Sequence, residues 1–223
     1  MKVYPIFLSN AGCPSRCVFC NQRAAERIKP WEQSVQEAFD YIQGSNLVYD
    51  EIAFYGGTPT SSEKLLKKIL DPFLIFLRNG KAKGLRVSTR PDQINEQIVK
   101  ILADHGVTTV EIGVESFSDE VLEMSGRGHS VSDVVHAHEL LKGQFREVFQ
   151  LMVGLPGEND CHREKTISQT VSLKPWGVRY FPTLVLRGTD LERMYVDGTY
   201  KPLTMEKALY WSRKAYCSFK DAG

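Results

Sequence analysis

Six times along the chain a short apolar run leads into turn residues and then into a helical pattern. The runs are "KVYPIFLS", "YDEIAFY", "LRVS", "TTVEIGV", "REVFQLMVGL" and "GVRYFPTLV". The first helical pattern, "EQSVQEAFDYIQG", puts Val35, Ala38, Phe39 and Ile42 on one face and stops at Gly44. The second, "EKLLKKILDPFLIFLRNG", is expected to bend near Pro72. Later helices end at His105-Gly106, lie near 118–125, 132–142 and 161–173, and cover 204–220 with Thr204 as N-cap. Such alternation predicts an α/β fold, a parallel sheet with helices outside it. The strands are nearly all apolar, as strands buried on both faces should be. A curved partial barrel and a doubly wound open sheet both fit this pattern. Both place ligands at the carboxyl ends of the strands.

Polar and glycine-rich clusters fall at those ends. They are the cysteine-bearing loop after the first strand, Gly56-Gly57-Thr58, Arg90 with Asp92, Glu115-Ser116, and Gly154 with Gly157. The 223 residues suffice for one substantial core. A net charge of +1 gives no general attraction to nucleic acid or anionic membrane. No apolar run approaches the roughly 18 residues of a membrane span. The opening "MKVYPIFLS" is too short for a secretory signal core, so a cytoplasmic chain is expected. Five cysteines, an odd number with three clustered, do not resemble a disulfide framework.

Cys13, Cys17 and Cys20 lie in "NAGCPSRCVFCNQ" with the spacing C-x3-C-x2-C. That is also the spacing of one helical face, but Gly12 and Pro14 oppose a helix there. A structural zinc site wants four ligands, and the fourth would come from a remote residue such as His105, His129 or Cys161. An iron–sulfur cluster accounts for the loop better, since cysteine thiolates are its usual ligands. Three protein ligands on a four-iron cluster leave one iron open to an exogenous molecule.

The loop, with Phe19 just before the last cysteine, resembles the C-x3-C-x-aromatic-C signature of the radical S-adenosylmethionine superfamily. "FYGGTPT" resembles that superfamily's glycine motif after the second strand. In order along the chain, "STRPD", "VEIGVES", "GRGH", "MVGLPGE" and "YFPTLVLRGTDLE" resemble the radical domain of the Elongator catalytic subunit and its bacterial relatives. The glycine motif and "GLPG" are also similar to oxygen-independent coproporphyrinogen oxidase. The resemblance implies a partial (β/α)6 TIM-like barrel over residues 1–223. It also implies a further C-terminal region, because an acetyltransferase domain follows the radical domain in the Elongator-like proteins.

The same resemblance implies a [4Fe-4S] cluster on Cys13, Cys17 and Cys20, with S-adenosylmethionine chelating the open iron. An electron donor such as flavodoxin or ferredoxin would serve it. The expected product is a 5′-deoxyadenosyl radical that takes a hydrogen atom from a small-molecule or RNA substrate, tRNA wobble uridine among them. Gly56, Gly57 and Thr58 would face the methionine ammonium, and Arg127 its carboxylate. Glu115 and Gln150 would meet ribose hydroxyls or the ammonium, and Phe19 the adenine. Ser88 departs from the pattern, because many relatives carry a ribose-binding Glu there; serine reaches less far. Plainer roles compete for each residue. Glu115 could be a surface carboxylate at a helix start, Arg127 an exposed arginine in a glycine turn, and Gln150 a core amide. Arg90, Asp92, Arg179, Tyr180, Thr183 and Arg187 are expected mostly as rim ion pairs or structural residues. The competing function is a structural iron–sulfur or zinc module without radical chemistry.

Overall fold

The computed structural model describes residues 1–14, 16–21 and 29–223. Ser15, within the cysteine loop, and residues 22–28 lie outside the described residues. The elements in chain order are β1 (Val3–Phe7), α1 (Trp31–Gly44), β2 (Glu51–Tyr55), α2 (Glu63–Leu70), α3 (Leu74–Arg78), β3 (Leu85–Thr89), α4 (Glu96–Asp104) and β4 (Val107–Glu115). They continue with α5 (Asp119–Met124), α6 (Val131–Leu141), β5 (Arg146–Val153), α7 (Asp160–Leu173), β6 (Gly177–Pro182), α8 (Asp190–Val196) and α9 (Met205–Ala222).

The six strands pair in parallel in the order β1-β2-β3-β4-β5-β6. That order decides between the two closures the sequence left open. A doubly wound sheet reverses direction at a switch point, and this sheet never does. Right-handed crossovers in unbroken succession carry the described crossover helices to the same side, so the sheet curls into a half-barrel. β1 is an edge strand, where Pro5 can lack a ladder donor without loss.

The core lies between the outer face of the sheet and the helices. Ile52, Phe54, Leu85, Val87, Val110, Ile112 and Val114 meet Val35, Ala38, Ile42, Leu66, Ile69, Ile98, Leu102 and Val134 there. Phe73 packs edge-on against Phe54, with ring centroids 5.1 Å apart, and Phe39 approaches Phe76 at 5.0 Å. Phe73 sits there because the chain breaks between α2 and α3 in a 3-10 turn over Asp71–Phe73, as Pro72 dictates.

The inner face corrects the expectation of strands apolar on both sides. Alternate residues are polar or charged: Glu51 and Tyr55 on β2, Arg86 on β3, Glu111 on β4 and Arg179 on β6. Arg86 bonds Glu51 through Nε (2.7 Å) and Glu111 through Nη1 (2.8 Å). Arg179 Nη1 donates to the other Glu111 oxygen at 2.8 Å. A half-barrel leaves this face without a second layer of helices, so paired charges and not aliphatic groups fill it.

Helix ends follow the expected chemistry. Thr204 caps α9 by accepting from Lys207 N–H, and Asn159 forms a capping box at the start of α7. α8 stands outside the helices expected from the pattern; its seven residues, capped by Thr189, are too short to show a period. Among the described residues no helix is long and apolar enough to cross a membrane.

The carboxyl end of α1 has a separate anchor. Lys81 Nζ donates to the carbonyls of Ile42 (2.9 Å), Gln43 (2.6 Å) and Ser45 (2.8 Å), at and just beyond the helix end, where backbone carbonyls lack intrahelical donors from a following turn. Replacing Lys81 by Met is expected to lower unfolding stability by about 1–3 kcal/mol in urea titrations. An unchanged midpoint would show that water serves those carbonyls equally well.

Candidate active site at the carboxyl rim of the half-barrel

β1 runs directly into the cysteine loop, and β2 into the glycine turn. The two are laced by backbone bonds: Asn10 N–H to the Gly56 carbonyl and Thr58 N–H to the Ala11 carbonyl, both 2.7 Å. Gly57 permits this approach, because a Cβ there would lie 2.6 Å from the Ala11 carbonyl oxygen. Gly56 has φ +85°, and a Cβ on it would strike the Phe7 ring at 2.4 Å. The far side of the loop is held by Val18 N–H on the Ser125 carbonyl at 3.0 Å.

These contacts close a cavity of about 390 Å³ at the strand ends, a volume within the range of small-ligand sites. Cys13, Cys17, Cys20, Phe19, Gly56, Gly57, Thr58, Ser88, Glu115, Arg127 and Gln150 all line it. Every site residue named from the sequence is thus brought to one place. Phe7, Tyr55, Thr89, Arg90, Gly113 and Arg179 complete the wall. Gly154 and Gly157 do not join it; they line a separate cavity beside Glu158 and Tyr200.

The plainer roles for two residues do not survive. Glu115 is 2% exposed and Arg127 is 7% exposed, so neither is a surface group. Glu115 holds φ +62° at a register shift in the β4–β5 ladder, a conformation that costs a non-glycine residue roughly 1–3 kcal/mol. Burial pushes its carboxyl above the usual range, while Arg127, Gln150 and Arg90 pull it back. Arg127 lies 3.6 Å from Glu115, donates to the Gly113 carbonyl at 2.7 Å and to Cys17 Sγ at 3.2 Å. Its charged form persists despite burial because Glu115 and Cys17 face it.

The wall holds unspent hydrogen-bonding capacity. Among the described residues Glu115 Oε2 and Arg90 Nη1 are buried without a partner. Buried polar atoms in native proteins are nearly always paired with protein or ordered water, so both can take up a polar guest. Such a guest suits S-adenosylmethionine, which brings an ammonium, a carboxylate and ribose hydroxyls.

The donor set also speaks to the metal. A mononuclear zinc ion needs donors at about 2.0–2.3 Å from one centre. Among the described residues no group of three His, Cys, Asp or Glu side chains is so disposed. The proposed fourth ligands lie elsewhere: His105 binds Asp71 at 2.8 Å, Cys161 is exposed, and His129 lies outside this cavity. Burial and the adjacent Arg127 and Arg90 bring the His129 pKa down to about 3, so its ring is neutral. Three thiols spread along one wall suit a cluster, whose cysteines bind separate irons.

Of the rim residues, Arg90 and Arg179 make the expected ion pairs, with Asp92 (2.9 Å) and Glu111 (2.8 Å), and both also line the cavity. Arg187 is exposed, and Tyr180 packs edge-on against Phe219. Glu51, Arg86 and Glu111 went unnamed in the sequence reading. Their signal was present as charge at alternate positions of strand-like runs.

A parallel half-barrel with a thiol-lined cavity at its carboxyl rim defines a class of cofactor-dependent enzymes. The comparisons with known proteins give the family. Residues 8–169 match the model of the Radical SAM superfamily, and residues 175–222 that of the Radical_SAM C-terminal domain. The chain belongs to the radical SAM superfamily. It is 39% identical over 130 residues to the tRNA uridine(34) acetyltransferase of Methanocaldococcus jannaschii, covering 56% of this chain and 24% of that protein. It is 33% identical over 173 residues to Elongator complex protein 3 of Homo sapiens, covering 75% of this chain and 28% of that one. The chain thus spans about a quarter of the length of these curated relatives. Coproporphyrinogen III oxidase from Escherichia coli has the same fold, with a TM-score of 0.70 at 16% identity, over 100% of this chain and 52% of that one. The partial TIM-like barrel is therefore the family's fold.

The Glu115–Arg127 pair yields a stability test. Removing either partner alone, by Glu115→Ala or Arg127→Ala, leaves the other group buried and is expected to cost about 3–5 kcal/mol. The double variant should cost less than the sum by about 1 kcal/mol or more in denaturant titrations. Strictly additive losses would show that the two do not act as a pair.

Proposed function

We propose that this cavity binds a [4Fe-4S] cluster on Cys13, Cys17 and Cys20 together with S-adenosylmethionine, and that the enzyme initiates hydrogen abstraction from its substrate. The observation that carries the reading is the convergence of three thiols with the buried, unpartnered Glu115 Oε2 and Arg90 Nη1 on one wall. A purely structural metal site has no use for those polar atoms. When bound, the cluster and S-adenosylmethionine supply an electron and a 5′-deoxyadenosyl group that leaves as a radical.

The protein's own residues bind, orient and keep dry. Gly56, Gly57 and Thr58 present backbone to the methionine ammonium, and the Arg127 guanidinium answers its carboxylate. Glu115 and Gln150 accept or donate toward the ribose. Ser88, on β3, makes a shorter reach to the same hydroxyls than a Glu would. Phe19 covers the adenine side from the cysteine loop. Residues 1–223 form the radical core, and an electron donor of the flavodoxin or ferredoxin kind reduces it.

The substrate reading follows the relatives' names and favours tRNA uridine at the wobble position. The match covers about a quarter of those relatives, so the acetyl transfer in their name is not carried over to these residues.

The test is reconstitution with iron and sulfide under anaerobic conditions, then reduction with S-adenosylmethionine present. About four irons per chain and formation of 5′-deoxyadenosine are expected. Cys13→Ala, Cys17→Ala and Cys20→Ala should each abolish the product and lower iron content. A fully loaded protein that forms none would refute the reading.

A further inference from the structure

We propose that Arg179 is the substrate-binding residue that receives an oxyanion, a carboxylate or a phosphate, on the β6 side of the cavity. The inference rests on the reading of this cavity as the radical site and adds the chemical class of its substrate.

Arg179 is anchored from behind. Its Nη1 donates at 2.8 Å to Glu111, whose side chain is 0% exposed. Glu111 is itself fixed by Arg86 Nη1 at 2.8 Å and by the Tyr55 hydroxyl at 3.3 Å. Arg86 is held in turn by Glu51, which also accepts from Thr108 at 2.7 Å. The guanidinium centre lies over the rings of Tyr55, at 5.5 Å, and Phe181, at 5.0 Å. These contacts set its direction and restrict its swing. Yet its side chain remains 42% exposed and lines the cavity.

Arg179 balances the buried Glu111 carboxylate, yet only its Nη1 is used in that pair, and the side chain stays partly exposed at the cavity. The chain from Glu51 through Arg86 and Glu111 thereby preorganises a cation at the cavity wall. Among the described residues Glu111 is its one hydrogen-bond partner. The remaining in-plane donors match a planar oxyanion by geometry and charge.

Arg90 and Arg127 line the cavity too, but both are buried beside their carboxylate partners, Asp92 and Glu115, so Arg179 is set apart by its exposure. Phe7 and Tyr55 supply apolar surface between the cysteine loop and Arg179, against which the uncharged body of a substrate can lie.

The experiment measures binding to the reconstituted enzyme in the presence of S-adenosylmethionine, by equilibrium dialysis. The probes are succinate against succinamide, and uridine 5′-monophosphate against uridine. The wild type should bind at least one anionic probe about ten-fold tighter than its neutral partner. Preference for succinate identifies a carboxylate, and preference for the nucleotide a phosphate. Arg179→Gln should erase the preference, and Arg179→Lys, which keeps the charge but not the fork, should retain part of it. Should Arg179→Gln fail to fold, Arg179→Lys carries the test: it should lose part of the preference, and an undiminished preference in it overturns the proposal. Equal binding of charged and neutral probes by the wild type, or a preference that survives in Arg179→Gln, overturns the proposal. So does loss of S-adenosylmethionine binding in Arg179→Gln with the anion preference intact, which would place Arg179 against the cofactor. Wild-type 5′-deoxyadenosine formation is scored separately, so failure of the radical reading is distinguishable from failure of this one.

Discussion

Two backbone hydrogen bonds, Asn10 N–H to Gly56 and Thr58 N–H to Ala11, both at 2.7 Å, tie the cysteine loop to the turn after β2. They form because β1 and β2 are adjacent and parallel in register from Val3↔Glu51 to Phe7↔Tyr55, so their carboxyl ends arrive side by side. Glycine at 56 and 57 lets two main chains meet where side chains would collide. The cysteines are therefore presented by strand pairing, and the cavity exists because the loop is held over the rim. The rest of the wall is added by β3 and β4 at their carboxyl ends and by Gln150 of β5 and Arg179 of β6.

The half-barrel has two faces with different physics. Outside, aliphatic and aromatic side chains pack under helices and supply most of the stability. Inside, Glu51, Arg86, Glu111 and Arg179 neutralise one another in a connected set of ion pairs. Buried ion pairs are weak contributors to net stability, but they fix orientation. Here they reach from the amino-terminal half of the strands toward the cavity, ending at an arginine open to it. The strain at Glu115 and the unpartnered atom of Arg90 sit on the same rim. Polar groups that cost stability are thus concentrated where a cofactor and substrate would meet them.

Much of this was legible in the residues. The strand–helix rhythm gave the parallel sheet, and turn chemistry located caps such as Thr204 and the break at Pro72. The cysteine spacing and the motifs after each strand named residues that all line one cavity. What alternation could not show was closure, because handedness and strand order are tertiary properties. Arg86 and Glu111 were hidden for a related reason: a charged residue in an apolar run reads as noise until the inner face is known to be polar. α8 was too short for periodicity, and Arg179 looked like any rim arginine until Glu111 was seen behind it.

The central claim is that Cys13, Cys17 and Cys20 hold three corners of a cubane and that S-adenosylmethionine takes the fourth. Mössbauer spectroscopy of iron-57-loaded protein, recorded with and without S-adenosylmethionine, tests it most directly. The account requires that about one iron in four change its isomer shift and quadrupole splitting on addition of the nucleotide while the others stay fixed. A spectrum that is identical in both states, or one in which every iron already has a complete set of protein ligands, would contradict it.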